Sequence, residues 1–271
     1  MRCIFCKEET QGNEPLEHVL PESLGNDLHT LRRGVVCAQC NNYFASKVEK
    51  PFMETPEICA LRFHQLVPSK KGRTPVLPAV LQPRDIIIDI SRDAKDGSTS
   101  ICVPDEGARM LLSAAQNRRG CRIVAPAMNL LAPGSVVSRF AAKVAIEALA
   151  KRVETNDELL DEIVDHKGLD ALRGHARVGH IPNWPVSIRQ IYHESSVWKD
   201  ESCPCYQLVH EFDSLYTEKL ELYFVLAIFG QELAINMGGP DLSGWEAWLD
   251  ANNDASPLHL NRNERGELRI S

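Results

Sequence analysis

The sequence predicts an α+β chain in two parts. A small cysteine-framed segment spans residues 1–55, and a larger mixed α+β segment with an expected antiparallel sheet spans residues 79–271. Three observations carry this. Two Cys-x-x-Cys pairs, Cys3/Cys6 and Cys37/Cys40, bracket the first forty residues. Runs with helical periodicity occur at 106–118 and 138–153. Strand-like runs crowd residues 186–237, the last two joined tightly at Gly230-Gln231.

In order along the chain, residues 38–50 read as a helix that follows the second cysteine pair. "LVPSKKGRTPVLP" (66–78) is rich in Pro, Lys and Gly, so residues 56–78 read as linker or exposed loop. "DIIIDI" (85–90), a turn at "DAKDGS" and "TSICV" (99–103) predict a hairpin. In 138–153 the apolar positions 140, 144, 145, 148 and 149 keep close to a 3.6-residue period. "DELLDEIVDH" (157–166) predicts a more acidic amphipathic helix. The runs 186–193, 206–212, 220–230 and 232–237 predict strands, and "GWEAWLDAN" (244–252) a closing helix. "CPC" at 203–205 reads as loop.

Apolar residues make up 44% and charged residues 25%, as expected of a globular chain with a sizeable core. No run of 18 apolar residues exists to span a membrane. The N-terminus "MRCIFCKEET" lacks the apolar core of a secretory signal, so a cytoplasmic location with reduced thiols is expected. The net charge is −7. It is uneven: residues 1–75 carry ten Lys and Arg against nine Asp and Glu, and the remainder twenty against twenty-eight. Nucleic acid would therefore meet a local N-terminal patch, with Arg32, Arg33, Lys47, Lys50, Lys70, Lys71 and Arg73 as candidates; the alternative is ordinary solvated charge.

Each Cys-x-x-Cys lets two thiolates reach one ion from one tight turn, and two such turns complete a tetrahedral zinc site. Cys3, Cys6, Cys37 and Cys40 are accordingly expected to bind structural Zn²⁺, which would supply much of the small segment's folding free energy. A redox dithiol would instead sit as a single pair near a βαβ unit, a pattern absent here.

Between the pairs lies "EHVLPESLGN", and directly after the second comes "CNNYFASKVEK". A zinc frame would bring Glu17-His18 towards Asn41-Asn42. A carboxylate, an imidazole and an amide beside a helix N-terminus suit a divalent ion and a general base, and hard oxygen ligands favour Mg²⁺ or Mn²⁺.

"CIFC", "EHVLP", "LGN" and "CAQCNN", in that order, resemble the zinc-containing subclass of HNH endonucleases over residues 1–50. The resemblance implies a ββα-metal fold acting on DNA, with His18 as general base, Glu17 as metal ligand and Asn41 at the last position of the motif. The stretch "LRRGVVC" lacks the family's middle asparagine; either Asn26 takes its loop-bracing role or that role is unfilled. His29 is a candidate third metal contact, with a plain surface role as the alternative. Arg32, Arg33, Lys47 and Lys50 are candidates to hold phosphate. The resemblance also suggests action against foreign DNA in bacteria, with residues 79–271 serving recognition, regulation or oligomerisation. Their acidic balance favours a protein partner or a second copy over a broad DNA face. The competing reading is a noncatalytic zinc module that binds nucleic acid or protein.

Overall fold

The computed structural model describes residues 1–26, 28–179, 184–200, 203–260 and 268–269, without the side chains of 199–200, 203–206, 259–260 and 268–269. It is a mixed α+β structure whose sheets are antiparallel. The chain divides into two compact units. One comprises 1–21, 26–53 and 130–271; the other comprises 22–25 and 54–129. The first unit thus joins the cysteine-framed segment to the C-terminal half.

At the N-terminus, Cys3 to Cys6 make a tight turn, with the Lys7 N–H on the Cys3 carbonyl at 2.9 Å. Strand β1 (Glu17–His18) pairs antiparallel with β2 (Thr30–Leu31), placing Glu17 opposite Leu31 and His18 opposite Thr30. Helix α1 (Ala38–Phe44) follows, capped by Cys37, whose Sγ accepts from the Cys40 N–H. Gly34, just before it, has φ +90°, and a Cβ there would lie 3.1 Å from Thr10 Oγ1. The helix then widens into a π turn (Ala45–Glu49) and ends as α2 (Lys50–Met53). Pro51 has no N–H to continue the ladder, and the Lys50 N–H reaches back to the Ala45 carbonyl. The helical path therefore extends beyond residue 50.

The second unit opens with α3 (Pro56–His64), inside the stretch read as linker. Thr55 caps it through the Ile58 N–H, and Pro56 and Glu57 occupy its first turn. Strands β3 (Leu77–Gln82), β4 (Ile86–Arg92), β5 (Thr99–Cys102) and β6 (Arg122–Val124) form a sheet in the order β5-β4-β3-β6, with α4 (Asp105–Gln116) between β5 and β6 in the chain. The expected 85–103 hairpin is β4 paired with β5. Ala60 and Phe63 of α3, Leu77, Ala79 and Leu81 of β3, and Met110 of α4 share one core.

The chain then returns to the first unit. Helix α5 (Ser135–Val153) is buried on nearly every side, as expected for an apolar helix run through a core. Helices α6 (Asp157–Asp165) and α7 (Asp170–Val178) follow. Strands β7 (Ser187–Gln190), β8 (Val197–Asp200), β9 (Cys203–Gln207), β10 (His210–Tyr216), β11 (Leu222–Ile228) and β12 (Gln231–Asn236) come next, then α8 (Ser243–Ala251), α9 (Pro257–Leu260) and β13 (Leu268–Arg269). They form two sheets, β10-β11-β12-β7 and β13-β8-β9. The 203–205 stretch is thus strand, not loop, and its two thiols lie outside the described side chains. Phe229 and Gly230 join β11 to β12, both at positive φ, as a type I′ turn requires. Tyr223, Val225 and Ala227 on one face of β11 pack with Trp245 and Leu258. The alternate residues Phe224, Leu226 and Ile228 are also buried, and α5 contacts both β11 and β12. Among the described residues, no helix is long and apolar enough to cross a membrane.

Candidate functional site

The four expected zinc ligands converge. One ligand atom from each of Cys3, Cys6, Cys37 and Cys40 falls within 4.8 Å of all the others. Cys6 and Cys37 Sγ are 3.6 Å apart, close to the roughly 3.8 Å edge of a tetrahedron with 2.3 Å Zn–S bonds. The Cys37 N–H donates to Cys3 Sγ at 3.3 Å and the Cys40 N–H to Cys37 Sγ at 3.4 Å. Crowding separates the thiols. The hydrogen bond with Cys40 draws Cys3 down to about 5 against its burial. Burial pushes Cys6 up to about 11, while the bond to Cys3, with burial, raises Cys40 far above the ordinary thiol range. A cation among these sulfurs would stabilise all four as thiolates, so the donor set fits zinc.

The cysteine turn is tied to the C-terminal half of its unit. The buried Arg173 of α7 donates through Nε to the Ile4 carbonyl at 2.7 Å. Arg2 reaches Asp161 and Asp165 of α6 at 2.9 and 2.8 Å, and Lys7 reaches Asp170 at 2.7 Å. The Tyr43 hydroxyl of α1 donates to the Arg177 carbonyl.

Strand alternation turns neighbours β1 Glu17 and His18 to opposite faces. His18 is partly exposed; Glu17 is only 6% exposed and faces the core. There it meets Lys143 of α5, which is fully buried. Lys143 Nζ lies 2.8 Å from Glu17, 2.7 Å from Glu49 in the π turn and 2.8 Å from Glu147 one helical turn along α5. It also donates to the His18 carbonyl at 3.1 Å. One ammonium thus gathers β1, the π turn and α5. Burial opposes the Lys143 charge, but the three carboxylates outweigh it and hold its pKa well above the usual value. Burial pushes the Glu147 carboxyl well above its ordinary range; Lys143 pulls it back, and Glu17 pushes it further up.

Asn26 closes the loop between β1 and β2. It is fully buried and makes four hydrogen bonds. Its Nδ2 donates to the Leu20 and His29 carbonyls at 2.7 and 3.2 Å. Its Oδ1 accepts from the Leu28 and His29 N–H groups at 3.1 and 2.9 Å. His29 is held in turn by Val19, whose N–H donates to the His29 carbonyl at 2.9 Å. The His29 ring packs edge-on against His210 at 5.4 Å and Phe212 at 5.0 Å. Burial, helped by the Lys151 charge, lowers its pKa.

Asn41 lies in the first turns of α1, half-buried, its N–H on the Cys37 carbonyl at 2.9 Å. The candidate phosphate contacts differ in their surroundings. Arg32 is ion-paired with Asp157. Arg33 donates to the Glu14 carbonyl at 2.7 Å. Lys47 and Lys50 are exposed on the π turn and at the start of α2. Among the described residues the four cysteines are the one group of three or more His, Cys, Asp or Glu gathered tightly enough for an ion. Among the described residues no second set of three such side chains is gathered for a divalent metal.

Sequence reasoning missed Lys143, Glu49 and Glu147. Their signal was a lone Lys-x-x-x-Glu inside the apolar run "AAKVAIEALA", where a polar pair is unexpected unless its members meet.

Residues 3–56 match the family model of HNH endonucleases, and the four-cysteine cluster is consistent with its zinc-bearing type. No curated protein and no solved structure gives a significant match to the chain.

Proposed function

From the HNH endonuclease match of residues 3–56, we propose that the chain hydrolyses DNA phosphodiester bonds with His18 as general base. The observation that carries this is the coincidence of the match with the cysteine cluster and with a partly exposed histidine on a short hairpin. Imidazole is the side chain that exchanges a proton near neutral pH, as activation of an attacking water requires. The Lys143 bond to the His18 carbonyl and the Asn26 brace fix the strand and loop from which that imidazole projects. A Mg²⁺ or Mn²⁺ ion belongs to this reading and would stabilise charge on the leaving oxygen. Glu17, Asn41 and His29 are its proposed ligands, and Glu17 could serve only by leaving Lys143. Arg32, Arg33, Lys47 and Lys50 are the proposed phosphate contacts. A role against foreign DNA rests on the family resemblance alone.

The engagement of Glu17 by Lys143 favours a second reading, a zinc module that binds without cutting. Supercoiled plasmid separates the two. With Mg²⁺ or Mn²⁺, the wild type should convert it to nicked or linear form, and His18→Ala should lose about 10²- to 10⁴-fold in rate. Equal cutting by His18→Ala removes the base assignment. No cutting with either ion leaves the binding module.

A further inference from the structure

Residues 54–129 carry eleven Lys and Arg against eight Asp and Glu, a positive balance inside a chain of net −7. Five of these cations lie on or beside one cleft. Arg84 follows β3, Arg109 lies on α4, Arg118 and Arg119 follow α4, and Arg122 opens β6 opposite Gln82. Arg84, Arg109 and Arg119, with Ser113 and Asn117, line a cleft of about 320 Å³. No acidic residue among the described residues lines it.

All five arginines are exposed. Among the described residues no carboxylate or carbonyl engages their guanidinium groups. Elsewhere arginines are engaged: Arg2, Arg32, Arg152, Arg173 and Arg189 lie on carboxylates, and Arg92 and Arg139 on backbone carbonyls. The acids of α4, Asp105 and Glu106, occupy its first turn, at the end away from Asn117 and Arg119.

The backbone adds a second observation. Helix α4 ends in a Schellman motif, with the Arg119 N–H on the Ala114 carbonyl at 2.8 Å and the Arg118 N–H on the Ala115 carbonyl at 3.2 Å. Its left-handed position usually takes glycine. Here it holds Arg118 at φ +52°, with Gly120 two residues later. A side chain there meets a steric cost that glycine avoids. The cation thus stands where the backbone favours glycine.

We propose that this cleft binds the phosphodiester backbone of nucleic acid, through Arg84, Arg109 and Arg119. Guanidinium forks match phosphate oxygens in pairs, and three of them around one cleft can hold successive phosphates of a strand. The assignment makes residues 54–129 a DNA-anchoring unit. It rests on the nuclease reading only in choosing nucleic acid over other polyanions.

The test is fluorescence anisotropy of a labelled DNA duplex with full-length protein carrying His18→Ala, titrated between 50 and 200 mM salt. Adding Arg84→Gln, Arg109→Gln and Arg119→Gln should weaken binding at least tenfold. It should also make the slope of log K against log salt shallower by about 2 to 3, close to 0.9 per lost phosphate contact. The matched set Lys95→Gln, Lys167→Gln and Lys219→Gln removes the same charge elsewhere and should change the slope much less. Arg→Lys at the three cleft positions keeps the charge and should restore most of the slope. Unchanged affinity and slope in the Gln variant overturn the inference, as does an equal loss in the matched set. Displacement of the DNA by micromolar mononucleotide overturns it too, by making the cleft a nucleotide pocket. If the Gln variant loses binding while wild type never cuts plasmid, the nuclease reading fails and the cleft stands. If wild type cuts and the Gln variant binds as tightly as its parent, the cleft fails alone.

Discussion

The Lys143 ammonium lies 2.8 Å from the Glu17 carboxylate, joining the strand that carries His18 to the central helix α5. The pair is buried on both sides and shares its ammonium with Glu49 and Glu147. In such a place the loss of one partner matters more than the presence of the pair, because the remaining charges have no water to turn to.

Lys143→Met should therefore destabilise the protein by about 3–5 kcal/mol, leaving the buried Glu17 and Glu147 and the partly exposed Glu49 without a cation. Urea unfolding would show a lowered midpoint. Combining Lys143→Met with Glu147→Leu should recover part of the loss. A single variant as stable as wild type would show that the carboxylates hold one another through shared protons.

Glu147 gives a pH signature. Its folded pKa is raised well above the ordinary value of 4.5. The sign follows from proton binding: the folded form holds the proton more tightly, so this group costs stability as pH rises from 4.5 towards its folded pKa. Glu147→Gln removes that cost while keeping the shape. Its stability relative to wild type should rise from pH 4 upwards, read as the difference in urea midpoints at each pH. A flat difference would mean that Glu147 stays ionised in the folded chain.

The cysteine cluster should bind one zinc ion per chain, measured by elemental analysis of purified protein. Cys3→Ser or Cys40→Ser should lose it and lower the melting temperature, since metal binding and folding are linked here. Cys59→Ser, in α3, should keep the full zinc content. Retention of zinc by either ligand variant would place the ion elsewhere.

Asn26→Ala removes four hydrogen bonds at a fully buried position. A cost of about 2–4 kcal/mol is expected, at roughly 1 kcal/mol for each bond. Any plasmid cleavage should fall with it, because the loop between β1 and β2 loses its brace. Asn26→Asp keeps the two accepted bonds but buries a charge, so it should do no better. Full stability in Asn26→Ala would mean that water replaces the amide.

The parts of this structure legible in the sequence are those whose signal is local. Cys-x-x-Cys pairs, a Glu-His strand and the helix after Cys37 each follow from spacing within a few residues. The loop brace comes only from the family resemblance, which offers Asn26 or an unfilled role; the four bonds of the buried amide decide for Asn26. Lys143 and Glu147 were read past, since a Lys and a Glu four apart normally mark a solvated helix face. Their partners Glu17 and Glu49 come from far along the chain, and no local pattern announces a meeting at that separation. Helix α3 was hidden differently. Its Thr-Pro-Glu start is a cap signal, yet the Pro- and Lys-rich stretch just beyond drew the whole region into a linker. The arginines around α4 were masked by averaging, because the acidic balance of residues 76–271 covered a basic end in 54–129.

The bond between Lys143 and the His18 carbonyl spans 125 positions of chain. At the about 5–20 residues per second of protein synthesis, roughly 6–25 s pass between the emergence of His18 and of the lysine that fixes its strand. During that interval Glu17 has no buried cation, and the whole of residues 54–129 is made in between. A hairpin clasped in this order stays incomplete until more than half of the chain exists. A ribosome that stalls before α5 releases a fragment with its cysteines and its histidine but without the lysine that ties the histidine's strand to the π turn.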